Sequence, residues 1–463
     1  MTGKRFFLVS FVVLSLLCSL SVAQQKTNSL KTDPFLNELH YRTFRWFWDV
    51  TDPSTGLVPD RWPTLTFSSV AAIGFGLTAY GVGAEHAYIP RDSAAMRVLA
   101  TLEFLYKLPQ HAKADAIGGY QGFFYHFLKL DSGHRLDARD ELSTIDTALL
   151  IAGALFCQSY FDRPNKAERR IRALADSLYR RVNWKWFQVK GSLLSMSWTP
   201  EGGYNPTRWM GYSEGMILYI LGLGSPTYPL HPDAWKEWTR SYVWSSYYGP
   251  PFVSFGPLFG HQYSHLWIDF RGIQDDYMKH KGIDYFENSR CATYSQRAYA
   301  TENPKHYSDY SARIWGLSAC DGPASTTMVI DGVKRTFVGY AARGCSVDWT
   351  NDDGTIAPTA AGGSVMIAPE ICIPALQAMK EQYGANLYTT YGFLDSFNPS
   401  FRTPDHPDGW FNKDYLGIDQ GPILLSIENL RTELIWKQMK KNPYIIRGLK
   451  RAGFSGGWLD KKN

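Results

Sequence analysis

Two kinds of helix alternate along this chain, and that alternation restricts its fold more than any other feature. Ala148–Leu155 is apolar on every side and built of small residues among Leu and Ile, so it needs protein all around it. Residues 165–182 set Ile171, Leu174, Leu178 and Tyr179 against Arg169, Arg170, Arg180 and Arg181, which is a helix with one dry and one wet face. Residues 209–223 are again apolar and small-rich, and 233–244 read as an outer helix. Inner and outer helices taken in turn describe an (α/α) toroid. Residues 69–86 carry Gly74, Gly76, Gly81 and Gly83; each glycine costs an isolated helix about 1 kcal/mol, but a buried one lets helices approach closely.

Start and stop signals place the remaining elements. Asp33-Pro34 opens a first helix to about Val50, and Pro90 starts a third that ends near Leu108. Residues 284–302 form another; Pro369-Glu370 leads an inner-type helix, and Asp419-Gln420-Gly421-Pro422 starts a last apolar one over 423–430. Residues 118–135 and 193–204 read as β-hairpin insertions, and 314–359 is irregular apart from strand-like 327–330 and 335–338. Eleven or twelve helices and no dividing linker predict one domain, residues 24–463.

The first 23 residues read as a secretory leader. Lys4 and Arg5 precede the apolar run 6–20, and Ser21-Val22-Ala23 provides small residues for cleavage before Gln24. The run is too short to span a bilayer, and Leu16-Leu17 before Cys18 argues against a lipoprotein anchor. A periplasmic or secreted, soluble, monomeric protein is expected. Losing Lys4 and Arg5 takes the net charge from +5 to +3, and with no basic run this excludes a nucleic-acid binder. Cys157, Cys291, Cys320, Cys345 and Cys372 remain, an odd number, so at least one thiol is free. Cys320 and Cys345 flank a loop-rich stretch and are the candidates for a disulfide.

Acidic residues gather where helices begin. Asp137, Asp140 and Glu141 form a loop that enters a helix at Ser143, and Ser143-Thr144-Ile145-Asp146 fits a capping box. Glu214, in Gly211-Tyr212-Ser213-Glu214-Gly215, is a lone acid in an apolar stretch; desolvation there raises a carboxyl pKa towards what a general acid requires. Asp419 and Glu370 read as helix caps. His261 and His265 stand four apart, yet lack the H-E-x-x-H context and a third ligand, so no metal is expected. Aromatic residues make up 15% of the chain and many lie in Gly- and Pro-rich connections, which suits contact with the apolar faces of sugars.

In order, Gly56-Leu57-Val58-Pro59-Asp60-Arg61, Gly74-Phe75-Gly76-Leu77-Thr78, Phe124-Tyr125-His126-Phe127, Glu141 to Leu150, Gly211 to Gly215, Ala368-Pro369-Glu370 and Gly417 to Pro422 span nearly the whole chain after the leader. Together they resemble the bacterial glucoamylase-like (α/α)6 family, and more narrowly glycoside hydrolase family 144. The resemblance implies an all-α double ring of twelve helices and hydrolysis of β-1,2-glucan, with inversion and no cofactor, to sophorose or short sophorooligosaccharides. It implies Glu214 as general acid and, from the acidic cluster of Asp137, Asp140, Glu141 and Asp146, a base; Glu141 is favoured and Asp419 is the alternative across the cleft. Arg61, Trp62, His126, Trp209, Tyr212, His265, Trp267, Glu370, Asp419 and Gln420, with Asp137, are the expected substrate contacts. An α-glucan hydrolase or polysaccharide lyase on the same barrel, or a glycan-binding protein without activity, would share this frame.

Overall fold

The computed structural model describes residues 32–461 except 114–115 and 331; the leader assigned to residues 1–23 lies outside the described residues. Six helices have no exposed residue or almost none and make the inner ring: α2 (Val70–Glu85), α4 (Thr144–Tyr160), α6 (Met216–Gly224), α8 (Tyr263–Trp267), α11 (Pro358–Gly362) and α13 (Gly417–Arg431). Each follows an outer partner in the chain: α1 (Pro34–Val50), α3 (Arg91–Lys107), α5 (Lys166–Arg181), α7 (Ala234–Thr239), α10 (Tyr285–Glu302) and α12 (Pro369–Tyr383). This is the (α/α)6 toroid. Three short helices, α9 (Asp276–Lys281), α14 (Leu434–Met439) and α15 (Pro443–Arg451), bring the described α-helices to 15.

Caps confirm why these segments start where they do. Asp33 accepts from the amides of Phe35 and Leu36, Asn165 from Glu168, and Asp284 from Glu287, each satisfying donors that a helix start leaves open. The inner ring closes by backbone approach: a Cβ on Gly74 would lie 2.3 Å from the Leu149 carbonyl oxygen, and one on Gly153 2.1 Å from that of Gly74. Only glycine permits α2 and α4 to touch in this way. Among the described residues the strands form ten small antiparallel sheets in the loops, nine of two strands and one of three.

Four expectations need correction. Trp209–Gly215 is not helical; Gly211 sits at φ 82° and breaks the run, so Glu214 precedes α6 rather than riding on it. The helix led by Pro369 belongs to the outer ring, where Lys380 pairs with Glu38 of α1 at 2.8 Å, and the inner partner is the short α11. Residues 118–135 hold two turns and not one hairpin: Gln121-Gly122 joins Gly119–Tyr120 to Phe123–Phe124, Asp131-Ser132-Gly133 closes Leu128 against Arg135, and Phe127–Leu128 also pairs with Ser68–Ser69. Cys320 and Cys345 are both free thiols, as are Cys157, Cys291 and Cys372. Cys320 packs against the buried Arg343 guanidinium, with Sγ to Nη1 3.5 Å.

Candidate active site

The inner helices bring their N-terminal ends to one face, and the loops there knit them together. Val70 N–H bonds the His126 carbonyl at 3.1 Å, Trp209 Nε1 donates to Thr144 Oγ1 at 2.8 Å, Ser264 Oγ donates to the Glu214 carbonyl at 3.0 Å, and Thr359 Oγ1 donates to the Asp419 carbonyl at 3.2 Å. Carboxylates placed at this face meet the positive ends of the helix dipoles. Two groups of acids occupy it.

His126 organises the first group. Its Nδ1 lies 3.1 Å from Glu141 Oε1 and its Nε2 3.5 Å from Asp146 Oδ1. Burial would depress this imidazole, but Asp146, Glu141 and Asp140 outweigh it and hold the pKa up at about 9. Glu141 in turn resists its own burial through the His126 contact and stays below the usual carboxylate range. Ser143 caps α4 by accepting the Asp146 amide at 3.2 Å, and its hydroxyl also donates to the Asp146 carboxylate. The capping-box residue is thus held by the cap while its other oxygen turns to His126.

Glu214 stands beside this group. One carboxyl oxygen is enclosed without a hydrogen-bond partner, and burial, reinforced by Asp146, pushes the pKa up to about 7. The group is therefore substantially protonated at neutral pH.

The second group was largely invisible to sequence reasoning. Asp60 and Asp321 grip Arg61 at 3.2 and 2.8 Å, and Asn412 Nδ2 donates to Asp321 and Asp395 at 3.0 and 2.8 Å. Asp395 and Asp419 are neighbours in this group, and burial together with repulsion from Asp395 holds Asp419 well above the ordinary range. Tyr263 is buried at the start of α8, and its hydroxyl feels Asp419, Glu214 and Asp146. Tyr340 is 58% exposed, yet its hydroxyl senses Asp419, Asp395 and Asp60. Asp419 and Tyr263 stand at the starts of α13 and α8, but Asp321, Tyr340, Asp395 and Asn412 come from loops without periodicity, where the available signal was the acids beside Asn and Ser.

Several expected contacts serve other purposes. Trp267 is fully buried, donates to Thr78 Oγ1 at 3.1 Å and stacks on Phe75, so it is core. His265 is buried against Phe270 with Nε2 3.0 Å from Ser289 Oγ, and burial drives both it and His261 down to about 3. Trp209 is 7% exposed and pins the Glu214 turn to α4. Gln420 is buried and donates to the Phe393 carbonyl at 2.8 Å. Glu370 pairs with Arg290 and Tyr294 at 2.5 Å between outer helices, away from both acid groups. Asp137 is exposed and paired with Arg139 at 3.0 Å. Asp140 accepts the amides of Phe127 and Leu136 behind His126; burial lifts it to about 7, and it shapes the loop. Trp62 is half-buried, with the Tyr391 and Tyr415 rings packed around it. Tyr212 forms a wall of a 550 Å³ groove beside the Glu214 turn, with Met210, Val243, Phe255, Phe259 and Trp349.

An (α/α)6 toroid with acids gathered where its inner helices begin is a frame that suits a carbohydrate-active protein. The family profile named Glycoamylase, described as "Putative glucoamylase", matches residues 206–443. The crystal structure of a protein so described from Bacteroides uniformis is 32% identical with TM-score 0.80, covering 92% of this chain and 98% of its own. The chain belongs to this family. An endo-β-1,2-glucanase from Chitinophaga pinensis, solved with sophorotriose and glucose, is 28% identical with TM-score 0.80 over 92% of this chain and 99% of its own. A curated relative from Parabacteroides distasonis, an exo-β-1,2-glucooligosaccharide sophorohydrolase, is 27% identical over 92% of this chain. This chain spans only 58% of that relative's length. A Talaromyces funiculosus endo-β-1,2-glucanase, 13% identical with TM-score 0.62, shares the fold.

Proposed function

We propose that this protein hydrolyses β-1,2-glucan to sophorose or short sophorooligosaccharides, with inversion, by a carboxyl pair in which Glu214 is the acid. The observation that carries the reading is the raised pKa of Glu214, about 7, in a carboxyl enclosed beside Asp146. A group so held donates a proton to a leaving glycosidic oxygen at neutral pH. Glu141, kept ionised by His126, is the base that takes a proton from water on the far side of the sugar. Inversion needs about 6.5–9.5 Å between the two carboxyl groups, room for that water. Asp419 is the second reading for the base: its Oδ2 is enclosed without a hydrogen-bond partner, although burial and the neighbouring Asp395 favour its protonated form, so it would serve only once ionised. Arg61, held by Asp60 and Asp321, and Trp62 contribute to the sugar-binding wall.

Assays for reducing ends on β-1,2-, β-1,3- and α-1,4-glucans test the linkage: turnover on the β-1,2 polymer alone is expected, and equal or better rates on starch overturn the reading. Rescue by azide separates the bases, since a small anion replaces the missing base in whichever of Glu141→Ala and Asp419→Ala has lost it. No helix among the described residues is long and apolar enough to cross a membrane. Export by the leader, with a mature chain beginning at Gln24, is checked by N-terminal sequencing of secreted protein.

A further inference from the structure

We propose that His40, His86 and Glu428 bind a divalent transition-metal ion, zinc by their donor chemistry, at the end of the toroid opposite the carboxyl cleft. His40 lies on α1, His86 caps the C-terminus of α2, and Glu428 is in the last turn of α13. The cleft is at the other end, where α2 and α13 begin. No sequence spacing announces three ligands so far apart, and the expectation of no metal considered only His261 and His265.

Nε2 of His40 and Nε2 of His86 lie 3.0 and 2.6 Å from the same oxygen, Glu428 Oε2, and the three ligand atoms all fall within 4.8 Å of one another. Two ligands each about 2.0–2.1 Å from a tetrahedral zinc stand roughly 3.3 Å apart, so an ion enters when the His40 contact opens by about 0.3 Å and the His86 contact by about 0.7 Å. Hydrogen bonding accounts for only part of the cluster. His86 bonds Glu428, but His40 Nε2 is fully enclosed and makes no hydrogen bond, although it is aimed at the carboxylate. An enclosed nitrogen without a partner is costly unless something else fills its lone pair.

A supporting layer is also in place. The Tyr88 hydroxyl lies 3.0 Å from His40 Nδ1, and the Thr432 hydroxyl donates to the other Glu428 oxygen. Bonds of this kind set the tautomer and orientation of metal-ligating imidazoles and carboxylates. Two imidazoles and one carboxylate suit zinc and its neighbours rather than calcium or magnesium, which take oxygen ligands. The His40 and Glu428 side chains are fully enclosed, whereas that of His86 remains 16% exposed, which leaves an entry path and a position for water.

The location gives the ion a purpose. α13 packs on α1 and α2, so this is the seam where the last inner helix meets the first pair and the ring closes. His86 and Glu428 are 342 residues apart in sequence, and a clip across so long a loop removes much freedom from the unfolded chain.

The test uses the full chain, loaded with zinc, desalted and analysed for metal by mass spectrometry. One zinc per chain is expected; chelation should lower Tm by several degrees, and zinc, but not magnesium, should restore it. His86→Ala should lose the zinc and melt with the stripped wild type, and Glu428→Gln should weaken zinc binding at least about tenfold. Equal Tm for stripped and loaded wild type, substoichiometric zinc, or zinc retained by His86→Ala would show a hydrogen-bonded triad only and overturn the proposal.

Discussion

Glu214 illustrates how one carboxyl trades stability for reactivity. Its pKa in the folded protein is about 7 against an ordinary 4.5, so the folded state holds the proton more tightly than the unfolded chain. Stability is therefore full at low pH and falls as pH climbs from about 4.5 through about 7. Glu214→Gln should match wild type in urea unfolding near the bottom of that window and exceed it above the top, by about 1–3 kcal/mol. The same substitution should lower kcat/KM by about 10²–10⁴-fold with an unchanged circular-dichroism spectrum, because the proton donor is gone. In wild type, kcat/KM should decline above about pH 7 as Glu214 ionises.

His126 works in the opposite sense. Its folded pKa of about 9 exceeds the usual 6.5, so the stability it contributes is complete below that lower value and fades as pH rises through the upper one. His126→Gln should therefore destabilise more below pH 6 than above pH 9, as read from urea midpoints. Without the cation, Glu141 should hold its proton more strongly, moving the acid limb of the kcat/KM profile to higher pH.

Individual helices were legible in proportion to their periodicity and caps. α1, α2, α3 and α5 begin and end within a residue or two of their sequence signals, and α4 begins at its cap but runs on to Tyr160, past the apolar run that ends at Leu155; Asp33, Ser69, Ser143 and Asn165 cap as their chemistry dictates. α8 and α11 have five residues each, too few to show a period, and α14 and α15 lie beyond the last apolar run. The contact between α2 and α4 rests on glycine. Gly153→Ala places a methyl about where the Gly74 carbonyl sits and should cost about 1–3 kcal/mol, seen as a lower Tm.

The irregular stretch 319–353 is held by buried Arg343. Its guanidinium bonds Asp353 at 2.7 and 2.9 Å and the carbonyls of Cys320, Val338 and Gly339. Arg343→Met strands a buried carboxylate and should destabilise by about 3–5 kcal/mol in urea unfolding. It should also raise KM, since Tyr340 hangs from the same loop.

Across the whole molecule, the toroid was readable because inner and outer helices must alternate in composition for both rings to be buried correctly. The cleft was only half readable. Glu141, Asp146 and Glu214 stand at helix entrances, where sequence gives a register, and the fold brings them together with His126. Asp321, Asp395 and Asn412 enter from loops, and nothing local distinguishes them from solvated acids. Large aromatics misled for a related reason: Trp267 and His265 sit in the same motif-rich stretch as cleft residues, yet α8 turns them into the core.

Linear β-1,2-glucan followed by proton NMR during the first turnovers would decide whether two carboxyl groups act across this cleft. The α-anomer should appear first at the newly formed reducing end and mutarotate later, while the Glu214→Gln protein should release neither. A β-anomer appearing first, or undiminished release by Glu214→Gln, would contradict the paired acid and base.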